Sequence, residues 1–218
     1  MTLSRLVVRF LRMPKHKNSY HHGDLRQSLL TNATEIIREG GIEALSMRKL
    51  ADRAGVSRTA PYHHFKDKNE LLCAIAEEGF RHQEDSIHDI PKKFPKLNSL
   101  ALFEQYVLAY IRFADQHPET YDLMFGKEIW KIGRPTEQLK EVSKASFHRW
   151  VHLVAQLQQR EVFPEEIPPL RVAQTCWATL HGLCRLMNDG IYLDRGDLEE
   201  MGRSAVGMLV KQHRVSSD

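Results

Sequence analysis

One stretch of twenty residues, 46–65, constrains the fold of this 218-residue chain more than any other. Ser46 is a residue type that caps helix N-termini, and apolar residues follow it three or four positions apart, as one buried helix face requires. They are Met47, Leu50, Ala51 and Ala54. Gly55 then tolerates the left-handed backbone that ends a helix, and Ser57 is predicted to cap a second helix. The stretch therefore predicts two short helices joined by a tight turn, a helix-turn-helix.

The second of these helices has side chains that suit the major groove of DNA. Arg58 can form two hydrogen bonds with a guanine edge, and Thr59 can contact a thymine methyl group. Hydroxyl and ring donors follow at Tyr62, His63 and His64, and such donors suit phosphate oxygens. This helix is therefore predicted to contact double-stranded DNA.

Pro61 leaves two interpretations of that helix open. If Ser57 is the cap, Pro61 lies at the end of the first turn, where its missing N–H costs at most one backbone hydrogen bond. In this interpretation Pro61 fixes the start of the helix. The alternative is that Pro61 ends the helix early, so that the segment is a structural turn.

The pattern S-M-R-K-L-A-x-x-A-G-V-S-x-x-x-x-Y-x-H-F begins at Ser46 and is followed by K-D-K-N-E-L-L. With its surroundings, residues 25–76, it resembles the N-terminal domain of TetR/AcrR-type bacterial transcriptional regulators, apart from Pro61, where the family more often has an aliphatic residue. The resemblance implies that Arg58 and Thr59, with help from Arg48, read bases. It also implies a set of phosphate contacts, namely Ser46, Tyr62, His63, His64 and Lys68.

Charge is divided unevenly along the chain. Residues 1–68 contain thirteen Lys or Arg and six Asp or Glu, a net charge of +7, whereas residues 69–218 contain eighteen and twenty-two, a net charge of −4. A basic N-terminal part indicates a partner that is a polyanion, and the alternative is a merely basic solvated surface. Residues 1–22 are predicted to be a basic, disordered arm.

The rest of the chain predicts an all-α, TetR-like fold because no strand-like alternation of apolar residues persists anywhere. A first helix from near residue 25 is predicted to stop at Gly40 and Gly41. Further helices are predicted at 67–82 or beyond, 97–116, 121–125, 137–159, 170–188 and 198–213. A break at 91–95 follows the helix-turn-helix unit. We therefore predict a DNA-binding domain with its connecting helix at 23–83, and an effector-binding and dimerisation domain at 84–218.

The W-x-x-x-H-G pattern at Trp177, His181 and Gly182, together with Phe-Ala at 113–114 and Phe-Gly at 125–126, resembles the WHG-type C-terminal domain of one TetR subfamily. The resemblance implies a small-molecule effector, whose identity the sequence does not give. Trp177 and His181 are interpreted either as the wall of a pocket or as buried packing. Candidate pocket residues are Phe103, Tyr106, Tyr110, Phe113, Phe147, Trp150, Trp177 and His181, although aromatic residues at helical spacing are more often core.

A homodimer is predicted from two arguments. The helix at 170–188 is apolar nearly all round, which a helix facing water does not tolerate. Helix-turn-helix units also need a twofold axis to reach two half-sites of a palindromic operator. We therefore predict a regulator, specifically a repressor that a small molecule releases from DNA, with activation as the alternative.

Other classes of protein have weaker support. The cysteines Cys73, Cys176 and Cys184 form no C-x-x-C pair and indicate buried thiols in the cytoplasm. His148 and His152 are spaced to share a helix face, yet a polar face is favoured over a metal site. No membrane span, cofactor or catalytic residue is predicted, since the sequence lacks a nucleophile beside a base and a phosphate-binding glycine loop. The alternative to a regulator is a ligand-binding helical protein or an enzyme without DNA binding.

Overall fold

A computed structural model describes residues 22–192, 194 and 196–210 of the chain. Within these residues every regular element is a helix, which confirms the all-α prediction. The α-helices are α1 (His22–Gly40), α2 (Met47–Ala54), α3 (Lys68–His88), α4 (Ile90–Lys93), α5 (Ser99–Gln116), α6 (Pro118–Phe125), α7 (Glu137–Gln158), α8 (Pro169–Asn188) and α9 (Leu198–Leu209). Single 3₁₀ turns lie at Ile42–Ala44 and Ala60–His63, and a π-helical turn lies at Glu128–Ile132.

Helix α3 joins the two parts of the molecule. Helix α1 packs on α2 and touches α3, whereas α3 runs on to pack against α5, α6 and α7. Behind it, α8 and α9 pack on α5, and α7 packs on α8. The predicted domain boundary at 83–84 therefore falls inside α3, which continues to His88.

The helix ends around the helix-turn-helix follow from local sequence. Ser46 Oγ accepts a hydrogen bond from the Lys49 amide at 3.2 Å, as predicted for a cap. Gly55 ends α2 in the left-handed region, with φ of 67°. Asp67 Oδ1 accepts a bond of 2.8 Å from the Glu70 amide at the start of α3.

The second helix of the helix-turn-helix is shorter than predicted. Ser57 does not cap it: its hydroxyl lies 3.1 Å from the Thr59 hydroxyl, and its carbonyl accepts from the Ala60 amide at 3.0 Å. Pro61 has no N–H to donate to that carbonyl, as an α-helix would require, so the chain forms the 3₁₀ turn Ala60–His63 instead. We call this element the recognition turn. Pro61 is the buried residue of this turn. The short turn agrees with the interpretation that Pro61 ends the helix early.

Three other boundaries differ from the predictions. The predicted break at 91–95 begins with the four-residue helix α4, and the chain is irregular only from 94 to 98. The stretch between the predicted helices at 121–125 and 137–159 contains the π-helical turn, closed by a bond of 2.7 Å from the Gly133 amide to the Glu128 carbonyl. Helix α9 ends at Leu209, and the predicted extension to 213 lies outside the described residues, as does the arm before residue 22.

Helices α3 and α6 approach closely at Gly79. A Cβ atom at this position would lie 2.6 Å from both Met124 Sδ and Thr120 Cγ2. The missing side chain therefore allows α6 to lie directly against the helix that leads to the helix-turn-helix.

Candidate nucleic-acid interface and ligand cavity

The side chains predicted to read bases are exposed around the recognition turn. Arg58 and Thr59 immediately precede the turn, and both are exposed. Arg48 is exposed on α2, where its guanidinium lies 4.0 Å from the Asp52 carboxylate one helical turn away. Such an exposed pair is weak, so the guanidinium can leave it for another acceptor.

The predicted phosphate contacts are of two kinds. Ser46, Tyr62 and His63 are exposed, and Tyr62 is 56% exposed although it is a large aromatic residue. His64 is half-buried, with its ring 6.3 Å from that of Phe65. Lys68 is also half-buried, because its ammonium donates to the Ile42 carbonyl at 2.7 Å. That bond uses one of the three ammonium donors, so a phosphate contact by Lys68 stays a prediction.

A basic residue that the sequence did not single out fixes α2 on α1. Arg53 donates to the Glu39 carboxylate at 2.5 and 2.7 Å and to Glu35 at 3.0 Å. The hydrogen bond from Arg53 lowers the pKa of Glu39. The Arg53 guanidinium is therefore bound to two carboxylates of α1, in contrast to those of Arg48 and Arg58.

The second candidate site is a cavity of about 720 Å³ among helices α3, α5, α6, α7, α8 and the π-helical turn. Five of the eight predicted pocket residues line it: Tyr106, Tyr110, Phe147, Trp150 and Trp177. Apolar wall residues that were not predicted are Phe80, Met124, Phe125 and Trp130. The cavity therefore has aromatic groups on several helices and suits an apolar ligand.

The other three predicted pocket residues lie outside this wall. Phe103 is fully buried and packs edge-on against Phe163, with ring centroids 4.9 Å apart. Phe113 packs edge-on against His82 at 5.6 Å. His181 turns its Nδ1 atom to the Tyr121 hydroxyl at 2.6 Å. Each of these side chains therefore has a packing or hydrogen-bonding partner elsewhere in the protein.

A row of hydrogen bonds links the cavity wall to the core. Trp177 Nε1 donates to the Tyr110 hydroxyl at 3.1 Å, and that oxygen lies 2.9 Å from the Tyr121 hydroxyl, which contacts His181. Burial, and secondarily the charge of Arg185, lowers the pKa of His181. With a neutral imidazole every group in the row is satisfied, because Tyr110 donates to Tyr121 and Tyr121 donates to Nδ1. The two interpretations of this pair therefore apply to different residues. Trp177 forms part of the cavity wall, whereas His181 packs in the protein interior.

The π-helical turn connects the cavity to the start of α3. Trp130 lines the cavity and donates through Nε1 to the Met124 carbonyl at 2.8 Å. Just after the turn, the Asn69 side chain donates to the Arg134 carbonyl at 2.8 Å and accepts from the Arg134 amide at 3.2 Å. The Asn69 side chain on the first turn of α3 is therefore tied by two hydrogen bonds to the backbone that follows the Trp130 wall.

The remaining candidate chemistry has no assembled site among the described residues. All three cysteines are buried free thiols, as predicted, and burial raises the pKa of Cys176 and of Cys184 to about 12. No three His, Cys, Asp or Glu side chains in the described part of the chain are placed to hold a metal ion. His152 instead lies 3.2 Å from the Gln156 amide. In the same part of the chain, no helix is both long and apolar enough to cross a bilayer.

Two family models match the chain. Residues 29–75 match the model described as bacterial regulatory proteins, tetR family. Residues 103–209 match the model described as tetracyclin repressor-like, C-terminal domain. The first match includes the recognition turn, and the second includes most of the cavity wall.

Three similar proteins show how far the likeness extends. The class C tetracycline repressor of Escherichia coli is 35% identical over 99 residues, which are 44% of this chain and 45% of that protein. The transcriptional repressor AcnR of Corynebacterium diphtheriae is 42% identical over 127 residues, 58% of this chain and 55% of that protein. The chain thus spans about half the length of these relatives. A Rhodococcus sp. RHA1 protein of unknown function has a structure with a TM-score of 0.75, at 32% identity, covering 88% of this chain and 97% of its own.

Proposed function

We propose a regulatory function for this chain, which belongs to the TetR/AcrR family of bacterial transcriptional regulators. In this proposal a homodimer binds a palindromic operator as a repressor, and a small molecule in the cavity releases it from DNA. The DNA-binding domain at 23–83 and the effector domain at 84–218 keep their predicted roles, and a cytoplasmic location follows from the DNA target. The observation on which the proposal depends is the exposed set of donors around the recognition turn.

Operator binding is supported by the chemistry of that set. Arg58, Thr59 and Arg48 are exposed and can reach base edges, while Tyr62 and His63 beside them can donate to phosphates. The net charge of +7 over residues 1–68 favours a polyanion at the same end of the chain. A 3₁₀ turn is also narrower than an α-helix, so we expect few base contacts per half-site.

Dimerisation is supported by apolar side chains that one copy of the chain leaves exposed on α8 and α9. Met208 on α9 is 84% exposed, Leu186 on α8 is 37% exposed, and Ala178 on α8 is also exposed. Light scattering should give about twice the 25.3 kDa of one chain at micromolar concentration. A monomer under those conditions would contradict the proposed twofold arrangement on DNA.

The experiment that tests operator binding is the mapping of bound genomic fragments, followed by titration of the recovered inverted repeat and a scrambled duplex. Arg58→Ala should cost about 1 to 3 kcal/mol on the operator and relax the preference at one base position. Arg160→Ala is the matched control, because Arg160 is exposed in the loop after α7 and its loss changes the net charge equally. Equal losses for both variants, or no preference for any inverted repeat, would contradict the proposal and favour a ligand-binding protein without DNA binding.

A further inference from the structure

The polar groups around the cavity are mostly paired or open to solvent. Arg149 and Glu84 form an ion pair that joins α7 to α3, and both side chains are partly exposed. Gln174 is exposed, and its Oε1 accepts from Arg171 at 2.7 Å. Lys144 is exposed as well. These groups therefore belong to the rim, and none of them needs a ligand to complete its hydrogen bonds.

Gln83 is different from these rim residues. It forms part of the cavity wall on α3, between Phe80 one turn before it and Ile87 one turn after it. Its side chain is only 6% exposed, and its Nε2 atom is buried without a hydrogen-bond partner within the described residues. A buried N–H group without a partner is unfavourable, and most buried polar groups in proteins are satisfied.

We infer that the cavity selects uncharged, mainly apolar molecules that contain a carbonyl oxygen, and that the Gln83 amide is the specificity-determining donor to that oxygen. The inference rests on the proposed effector site and adds the chemical class of its ligand. Rotation of the terminal amide would turn Nε2 to the ligand, and the gain is a hydrogen bond for a donor that has none among the described residues.

The lack of charge in the ligand follows from where the cationic groups lie. A carboxylate placed at Gln83 would lose its water and gain only uncharged donors, because Arg149 is paired with Glu84 and Lys144 lies at the exposed rim. An ammonium would also lose its water, and the Glu84 carboxylate on the wall is already paired with Arg149. A neutral carbonyl accepts the same hydrogen bond at far lower desolvation cost, while aromatic walls bury the remaining ligand surface.

The test uses two compounds of the same shape, benzophenone and 1,1-diphenylethylene, in which a methylene group replaces the carbonyl oxygen. Dissociation constants are measured by equilibrium dialysis with the full chain and without DNA. The three tryptophans of the chain, Trp130, Trp150 and Trp177, all line the cavity, so quenching of their emission locates the bound ketone. Wild-type protein should bind the ketone about tenfold more tightly, the usual size of one net hydrogen bond in a buried site.

Two variants assign that preference to one side chain. Gln83→Met keeps the length of the side chain and removes the donor, so both compounds should bind with equal affinity. Gln174→Met is the matched control, since this second cavity glutamine is exposed and already bonded to Arg171. The control should keep the tenfold preference for the ketone. Thermal unfolding of Gln83→Met should occur at or above the wild-type temperature, because the variant buries no unpaired amide.

Three results would overturn the inference: equal affinities of the wild-type protein for the two compounds, no binding of either compound, or a ketone preference that persists in Gln83→Met. None of these measurements involves DNA. Failure of the ligand class is therefore distinguishable from failure of operator binding, which the genomic-fragment experiment tests alone.

Discussion

Tyr121→Phe should destabilise the protein more than any other removal of a single hydroxyl group from the cavity region. Tyr121 is fully buried, and its hydroxyl lies in the middle of the row, 2.9 Å from the Tyr110 hydroxyl and 2.6 Å from His181 Nδ1. The substitution keeps the ring and its stacking on the His181 imidazole, whose centroid is 5.5 Å away. Any loss of stability therefore comes from hydrogen bonds and not from a cavity.

The magnitude follows from the partners that remain. Two hydrogen bonds are lost, each with a net value of about 1 kcal/mol. Tyr110 still accepts from Trp177, but its buried O–H loses its acceptor, and His181 Nδ1 is left half-buried without Tyr121. These unpaired groups add about 1 to 2 kcal/mol. The free energy of unfolding should fall by about 3 kcal/mol in urea titrations at one fixed protein concentration, since dimerisation contributes to apparent stability.

Tyr106→Phe is the matched control for this measurement. Tyr106 is also a buried tyrosine, 6% exposed on the cavity wall, but its hydroxyl has no hydrogen bond to another described residue. Its removal should change the unfolding free energy by less than about 0.5 kcal/mol. If the two variants were equally stable, the row of hydrogen bonds from Trp177 to His181 would contribute nothing to the free energy of unfolding. The proposed orientation of its hydroxyl groups would then be wrong.

Two further predictions concern packing and protonation. Gly79→Ala improves helix propensity by about 1 kcal/mol but places Cβ 2.6 Å from Met124 Sδ and Thr120 Cγ2, an overpacking cost of about 1 to 3 kcal/mol, so a net loss of stability is expected in urea titrations. A gain in stability would show that α6 can shift away from residue 79 at little cost. Because burial lowers the pKa of His181 below its ordinary 6.5 in the folded state, the unfolded state binds more protons below that pH, and stability should fall on acidification by up to about 1.4 kcal/mol per pH unit. His181→Gln should reduce this acid slope, and an unchanged slope in that variant would contradict the prediction.

Features of the fold that depend only on residues close together in the sequence were predictable. The caps at Ser46 and Asp67 and the left-handed Gly55 are each specified within four residues of the chain, and the structure has all three. Pro61 was recognised as unusual, yet its effect depends on a competition. The chain could keep an α-helix with one bond missing or tighten into a 3₁₀ turn, and only the structure decides this.

The cavity was harder to predict because a helical pattern does not fix which side of the helix faces empty space. Phe103 and Tyr106 lie three positions apart on α5, and one packs on Phe163 while the other lines the cavity. Trp130 was missed because the π-helical turn interrupts the 3.6-residue period on which the sequence reading depends. Gln83 was missed because a glutamine in an amphipathic helix is ordinarily expected at the surface.

Helix α3 explains how the cavity and the recognition turn can influence each other. Its 21 residues extend about 30 Å. Within it, about 22 Å separates Lys68, whose ammonium binds the Ile42 carbonyl, from the cavity wall at Gln83. In the proposed mechanism, a ligand that displaces this wall would move the stiff helix as a whole, and a ligand that displaces Trp130 would act on the same first turn through Arg134 and Asn69. Both routes end beside the recognition turn, so a ligand needs only a different affinity for two positions of α3 to change operator binding. The recognition turn itself can then keep its internal structure, and the spacing between the two copies in a dimer becomes the quantity that the ligand alters.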